Sequence, residues 1–413
     1  MTQTFSRARL LRAAAVATAV AATLVATACS SSSPSSSSSP SSSAASTATA
    51  SSGATTSATA ASSSGVPAAV ETLLQQGYKG TFQPPPTSGP KAATDKKVWV
   101  ISCGQIAATC ASIADAAVAA GQKLGWKMTL FDGKLDPTLY TTGILEAIAD
   151  HANGILTVAV DCSDARAPLA QAKADGIMTV TVSGFDCNNS IDPTGSPVYS
   201  TYVKYTGIDG YGTTYADWKE YDAAWDIAAT DGKAKVINSY SPGYLVSEFQ
   251  NQGFTDEMKL CATCSIVDEL GITATDQEGT GAQDKLQSAL LQNPDANVVQ
   301  VGVDDWFERF ANAAFKEVNR SGLEVSGDEC SNTAIASIKA GGPQKVCIAR
   351  DFSWESWAAM DELNRQFASP GSAPVDEGLG FEIVDATHNL PSGSTWSPPF
   401  NFEADYEKIW STQ

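Results

Sequence analysis

From Lys97 onward, short apolar runs alternate with longer stretches in which apolar residues recur every three or four positions. Val98-Trp99-Val100-Ile101-Ser102 predicts a buried strand, because a compact apolar run closed by polar and glycine residues suits a sheet covered on both faces. Ile106 to Leu124 is Ala-rich with helical spacing and is stopped by Gly125, and Lys127 to Phe131 starts the next apolar run. Asp136-Pro137 opens a helix through Ala149, with a capping carboxylate and proline in the first turn. Ile155 to Val160, Ala165 to Ala174 and Ile177 to Val182 continue the rhythm as strand, helix, strand. The alternation resumes with strands at Lys235 to Ser239, Ser265 to Leu270, Val298 to Val301, Leu323 to Ser326 and Lys345 to Ala349. The helices between and after them are Leu245 to Met258, Ala282 to Leu291, Trp306 to Asn319, Thr333 to Lys339 and Trp354 to Phe367. Strands separated by helices imply parallel sheets with right-handed crossovers, and two such runs imply an α/β chain of two Rossmann-like lobes. Ligands of such sheets sit at the carboxyl ends of the strands. The positions of interest are therefore Cys103 to Gln105, Asp132 to Asp136, Asp161 to Asp164, Ser183 to Asp186, Tyr240, Asp304 to Trp306, Asp328 and Arg350.

The first residues follow a different pattern. Arg7, Arg9 and Arg12 precede the apolar run Ala13 to Ala28, too short for a comfortable membrane span, so residues 1–28 are expected to be a signal peptide. Val25-Ala26-Thr27-Ala28-Cys29 resembles a bacterial lipoprotein lipobox, which implies lipidation of Cys29; Ala26 stands where Leu is usual, leaving ordinary secretion with a free Cys29 thiol as the alternative. Ser30 to Gly65 carries no charge and no large side chain, so nothing there offsets the entropy of ordering. Over 36 residues such a coil reaches roughly 30–36 Å. Residues 29–96 are assigned to a lipid-anchored disordered tether, relieved by a short helical stretch around Val66 to Gln76 and the Pro84-Pro85-Pro86 segment.

Composition narrows the function. Across 413 residues, 26 Lys and Arg face 45 Asp and Glu, and the net charge of -19 repels polyphosphate, so no nucleic-acid partner is expected. With only His151 and His388, a multi-histidine metal site or a histidine-based triad has too little material; no metal and no cofactor are expected. Beyond Cys29 there are eight cysteines, an even number suited to an exported protein. Proximity favours Cys103 with Cys110, Cys162 with Cys187, Cys261 with Cys264 and Cys330 with Cys347. A thiol-redox role for Cys261-Ala-Thr-Cys264 would require a following helix, whereas the run to Leu270 reads as a strand.

Several segments in order resemble the type I periplasmic binding proteins of ribose and sugar ABC importers. They are Lys97 to Ser102, Leu124-Gly125-Trp126, Asp132 with Asp136-Pro137, Ala147-Ile148-Ala149 before Asn153-Gly154-Ile155-Leu156, and Ala172 to Ile177. Gly253-Phe254, Asn293-Pro294-Asp295, Ile338 to Gly341 and Trp354 to Arg365 continue the series. The resemblance implies two lobes joined by three crossovers, a monomer clamping a small solute by hinge closure and passing it to a permease. On that basis one lobe comprises 97–187 plus about 351–378, and the other 188–350 plus about 379–413. Asp304 keeps the family's strand-end acid, and Gly327-Asp328-Glu329 replaces a Phe-Asp-Gly segment. Ser183 stands where an Asp is frequent, Gln250 where an Arg is usual, and Arg350 where the late hinge often carries Gln.

A sugar asks for carboxylates and amides that bond its hydroxyls and for aromatic planes beneath its ring. Gln105, Asp136, Ser183, Phe185, Asp186, Asp304, Trp306, Asp328, Arg350 and Trp354 are the candidate ligand-binding residues. Asp136 and Asp164 serve equally well as helix caps, and Trp357 is expected in the core. Two other functions remain open: a cell-surface hydrolase using Asp304 and Asp328 as an acid pair, and a sensor of the same fold presenting its ligand to a membrane kinase. The chain has no phosphate-binding loop and no Gly-x-Ser-x-Gly elbow, which favours binding over catalysis.

Overall fold

The computed structural model describes residues 65–411 apart from 190, 192–194 and 209. The expected leader, Cys29 and the coil up to residue 64 lie outside the described residues.

The first sheet is parallel, in the order β2-β1-β3-β4, from β1 (Lys97–Ser102), β2 (Lys127–Asp132), β3 (Gly154–Val158) and β4 (Met178–Val182). Its helices are α2 (Ala108–Lys123), α3 (Pro137–Ala149) and α4 (Cys162–Ala174), which follow α1 (Ala68–Lys79) in the chain. Every residue of β3 is buried, as its unbroken Gly-Ile-Leu-Thr-Val run requires of a central strand. Asp136 caps α3, its Oδ1 accepting the Thr138 N–H at 2.8 Å with Pro137 in the first turn.

A second sheet, ordered β10-β9-β8-β7-β5-β6, gathers β5 (Lys235–Tyr240), β6 (Ser265–Gly271), β7 (Val298–Gln300), β8 (Glu324–Asp328), β9 (Gln344–Ala349) and β10 (Glu382–Asp385). Only β10 runs antiparallel to its neighbour, β9. Around this sheet lie α5 (Tyr211–Ala229), α6 (Leu245–Met258), α7 (Ala274–Glu278), α8 (Gly281–Gln292), α9 (Asp304–Trp306), α10 (Asn312–Glu317) and α11 (Asn332–Lys339). A π-helical turn at Phe307–Ala311 links α9 to α10. The chain then returns through α12 (Phe352–Ala368), which packs on α2 and β4 of the first lobe, and ends in α13 (Phe402–Ser411), which packs on α12.

The expected cysteine pairs are brought together, with Cα separations of 5.9, 5.2, 5.3 and 5.0 Å for Cys103–Cys110, Cys162–Cys187, Cys261–Cys264 and Cys330–Cys347. These distances suit disulfides.

Three boundaries differ from the sequence-based expectation. The tether does not extend to residue 96: Val66 and Val70 join the second lobe's core beside Ala223, Ile227, Val236 and Phe254, and Phe82 is buried as well. The apolar residues of α1 recur at helical spacing, so its burial against the second lobe offsets the cost of ordering it. The first lobe does not end at residue 187, because Ser200 N–H donates to Thr179 O at 2.9 Å and the Thr201 hydroxyl to Glu362 at 2.8 Å. Finally, α13 belongs with the first lobe, where Trp410 stacks on Trp357 and Lys123 pairs with Glu407 at 2.5 Å.

Candidate functional site

Positive φ angles at non-glycine residues concentrate where strands end. Lys134 (49°) and Leu135 (59°) follow β2, Ala159 (48°) follows β3, Ser183 (59°) follows β4, and Glu329 (60°) with Cys330 (50°) follow β8. Such conformations persist where surrounding structure over-determines them, and they gather at ligand-holding loops. Three disulfides supply that restraint: Cys103–Cys110 ties the loop after β1, Cys162–Cys187 joins the tails of β3 and β4, and Cys330–Cys347 anchors the tail of β8 to β9.

These edges of the two lobes meet through direct bonds. Asp161, after β3, accepts the Phe185 N–H on Oδ1 (3.0 Å) and, across the lobes, the Leu245 N–H at the start of α6 on Oδ2 (3.3 Å). The carboxylate thus stands at the positive end of a helix that lacks a side-chain cap of its own. Burial and the neighbouring Asp164 push its pKa up to about 7. Thr109 approaches Glu329 at 3.5 Å. Phe185, from the first lobe, packs against Tyr211, Tyr215 and Phe249 of the second at centroid distances of 5.6, 5.2 and 4.8 Å.

At the hinge side, the Tyr211 hydroxyl accepts the Ser183 N–H (2.6 Å) and donates to Glu355 (2.7 Å), while the Tyr215 hydroxyl bonds Ser183 Oγ at 3.1 Å. Arg350 Nη2 pairs with Glu355 and reaches the Tyr215 hydroxyl at 3.1 Å. Its guanidinium carbon lies 4.4–5.9 Å from the centroids of Phe352, Trp218, Tyr215 and Tyr205. Arg350 Nε and Nη1 are buried without a hydrogen-bond partner.

The second lobe holds a buried acid cluster beneath its strand ends. Asp304 accepts from Gln344 Nε2 at 2.7 Å and from the Ser331 N–H at 2.8 Å. Asp328 Oδ2 receives Gln250 Nε2 at 3.3 Å and lies 3.4 Å from Lys219 Nζ, which bonds Asp222 at 2.7 Å; Asp328 Oδ1 has no partner. Burial, with Asp328 nearby, raises the Asp304 pKa to about 8, and burial raises Asp222 to about 7 against the pull of Lys219. Gly327 is dictated by this cluster, because a β-carbon there would lie 2.5 Å from both Asp304 Oδ1 and Gln344 Nε2.

The candidate residues therefore fall into groups. Ser183, Phe185 and Arg350 converge at the lobe junction, Asp304 and Asp328 form the second-lobe cluster, and Gln105 sits on the facing loop, its N–H bonded to Asp132 at 2.9 Å. The others are used elsewhere. Asp136 is an exposed helix cap. Asp186 organises its own loop, accepting the N–H groups of Cys187, Val198 and Tyr199 at 2.8, 2.7 and 3.2 Å. Trp306 is a core ring, 3 % exposed, against Phe310, and Trp354 is fully buried between Phe82 and Phe402. Neither indole presents a free face for stacking; both rings follow strand ends in sequence but turn into the apolar interior, where their large area is worth more. Sequence reading missed Tyr211, Tyr215, Lys219, Glu329 and Glu355. The signal for the first three was their four-residue spacing along one face of α5.

Comparison with known proteins agrees with this architecture. An ABC transporter solute-binding protein from Mycobacterium smegmatis with bound glycerol superposes with a TM-score of 0.61 at 20% identity, covering 74% of this chain and 100% of that one. A solute-binding protein from Agrobacterium vitis bound to α-D-tagatopyranose gives 0.61 at 18%, covering 73% and 98%. A periplasmic ribose ABC transporter protein from Conexibacter woesei gives 0.58 at 18%, covering 73% and 95%. At these identities the likeness shows the fold. No curated protein matches the chain by sequence. The periplasmic binding protein domain family matches residues 100–368, well over half of the chain, and the protein belongs to that family.

Proposed function

We propose that the chain is the extracytoplasmic solute-capturing component of an ABC importer, gripping a small polar solute, a sugar or polyol, between its lobes and presenting it to a permease. The observation that carries this is the meeting of the two sheets' carboxyl edges through Asp161–Leu245, Ser183–Tyr211 and Phe185–Phe249, all on loops held by disulfides or helix starts. Capture requires polar groups to face one another from two bodies that can separate, and no bond has to be made or broken. The solved proteins of like fold with bound glycerol and tagatopyranose support the solute class. An acid-pair hydrolase gains no support: Asp304 and Asp328 are each 1 % exposed and are engaged by Gln344, Ser331, Gln250 and Lys219. No described helix is long and apolar enough to cross a membrane. The lipobox-like Val25 to Cys29 supports attachment through a lipid on Cys29, with the protein acting as a monomer. Calorimetric titration of the purified protein with pentoses, hexoses and polyols tests the function. One of them should bind at 1:1 with a micromolar constant, about 8 kcal/mol, and remain unconverted. Conversion to product would overturn the proposal, and so would heats at the dilution level throughout the panel.

A further inference from the structure

Three passages between the lobes were expected, and the structure has them joining β4 to α5, where the chain leaves the first lobe after Thr201, β9 to α12 at 350–351 and α12 to β10 at 369–381. Two more accompany them. After α1 packs on the second lobe, residues 80–96 cross to β1 of the first, and after β10 residues 386–401 cross back to α13.

The N-terminal passage is laced to the hinge. Thr81 N–H donates to Phe381 O (2.9 Å), Phe381 N–H to Thr81 Oγ1 (2.8 Å), and Gln83 N–H to Gly378 O (2.9 Å). On its other side the same crossover bonds the first one, Thr206 N–H to Leu379 O at 3.0 Å and Glu377 N–H to Lys204 O at 3.1 Å. Gly378 and Gly380 make the lacing possible: a β-carbon on Gly378 would lie 2.4 Å from Gln83 O, and one on Gly380 2.5 Å from Phe82 N. Beyond the hinge, Arg365 donates to Ser88 O (2.9 Å) and Asn364 bonds both Pro90 O (3.0 Å) and Ala93 N–H (2.9 Å), fixing the far end to the first lobe. The near end is fixed on the second lobe by Tyr78, whose hydroxyl donates to Asp385 at 2.9 Å. Between the anchors lie Pro84, Pro85 and Pro86, a run that is stiff because each ring fixes φ.

The C-terminal passage locks onto the first. Trp396 packs on Phe82 at 5.5 Å and bonds Glu382 at 2.9 Å, the Trp410 carbonyl accepts the Ala92 N–H at 3.0 Å, and Tyr406 donates to Glu377 at 2.6 Å.

We propose that these two passages form a strap that limits the opening of the lobes and keeps the solute-free protein near its closed arrangement. A hinge of three connections can bend at a few residues, but a rigid segment tied to both bodies must slacken or detach before they swing apart. The inference rests on lobes that separate, as the proposed function requires.

The test is the distribution of distances between fluorophores introduced through unnatural amino acids at the exposed Glu146 and Asp256, without solute. The unaltered protein should show one narrow, short-distance population. Two alterations should each add a longer-distance population: the triple change Pro84→Gly, Pro85→Gly, Pro86→Gly, and a four-residue Gly-Ser insertion between Pro86 and Thr87. Gly380→Val, which pushes the passage off the crossover, should do the same, whereas the exposed Pro294→Gly should leave the distribution unchanged. A broad distribution in the unaltered protein, or distributions unmoved in folded variants, overturns the strap. Solute binding measured on the same samples reports separately on the proposed function.

Discussion

Glu355→Ala probes the lobe junction most sharply. The Glu355 carboxylate is fully buried, faces Arg350, and accepts the Tyr211 hydroxyl at 2.7 Å. Its removal leaves the Arg350 guanidinium, also fully buried, without its counter-charge. Breaking a buried pair from one side costs about 3–5 kcal/mol, because the surviving ion stays out of water. Four rings within 5.9 Å offset part of that loss, about 0.5–2 kcal/mol, but they do so in the unaltered protein as well. With an unfolding entropy of about 2.1 cal/mol/K per residue, a body of roughly 350 residues shifts its Tm by about 1.4 °C per kcal/mol. Differential scanning calorimetry should therefore show a fall of about 4–7 °C. The companion Arg350→Met/Glu355→Leu should recover most of it, since apolar residues of similar volume replace a buried pair at little cost. A single change costing under about 1 °C, or a double variant no more stable than the single one, would refute the junction as described.

Stability should fall as pH rises from about 5 to about 8. Asp304, Asp161 and Asp222 have native pKa values raised to about 8, 7 and 7, chiefly by burial, against about 3.9 in the unfolded chain. The native state then holds more protons across that window, and its advantage is lost as these groups ionise; a melting temperature higher at pH 8.5 than at pH 5.5 contradicts this. Replacing both Cys162 and Cys187 by Ser frees a loop with a sequence separation of 25 residues and should cost about 3–4 kcal/mol in chemical denaturation. Solute affinity should fall as well, since Asp161 and Ser183 lie on the released tails; unchanged affinity in the folded variant would place the site elsewhere.

Much of the fold was legible because the inner strands are short β-branched runs that could belong only to covered parallel sheets. The stretch from residue 188 to 234 was not. Helix α5 buries Lys219, Asp222 and Asp226 alongside Trp218 and Ile227, so its polar residues mask the apolar stripe by which a helix is recognised. The strand β10 has four residues, too few for a periodic signal, and it pairs with β9 through the crossover's geometry. Residues 66–96 were assigned to the tether by their serine-rich neighbour, although Val66, Val70 and Leu74 recur at helical spacing. For the site, strand-end position pointed to Ser183, Phe185, Asp304, Asp328 and Arg350, which the structure places at the lobe junction and in the buried second-lobe cluster. It failed for Trp306 and Trp354, because position along the chain fixes where a residue starts but not which way a large ring turns. The groups that meet those residues, Tyr211 and Glu355 above all, lie on helix faces distant in sequence.

Hydrogen–deuterium exchange with the best-binding member of the sugar and polyol panel shows whether the solute is held between the two lobes. Solute should slow exchange together at the Cys103 to Cys110 loop, Ala159 to Ala165 and Ser183 to Cys187 of one lobe, and at Gly243 to Glu248 and Asp328 to Asn332 of the other. Protection confined to a single lobe, or to the opposite ends of the sheets, would contradict a solute held between the two.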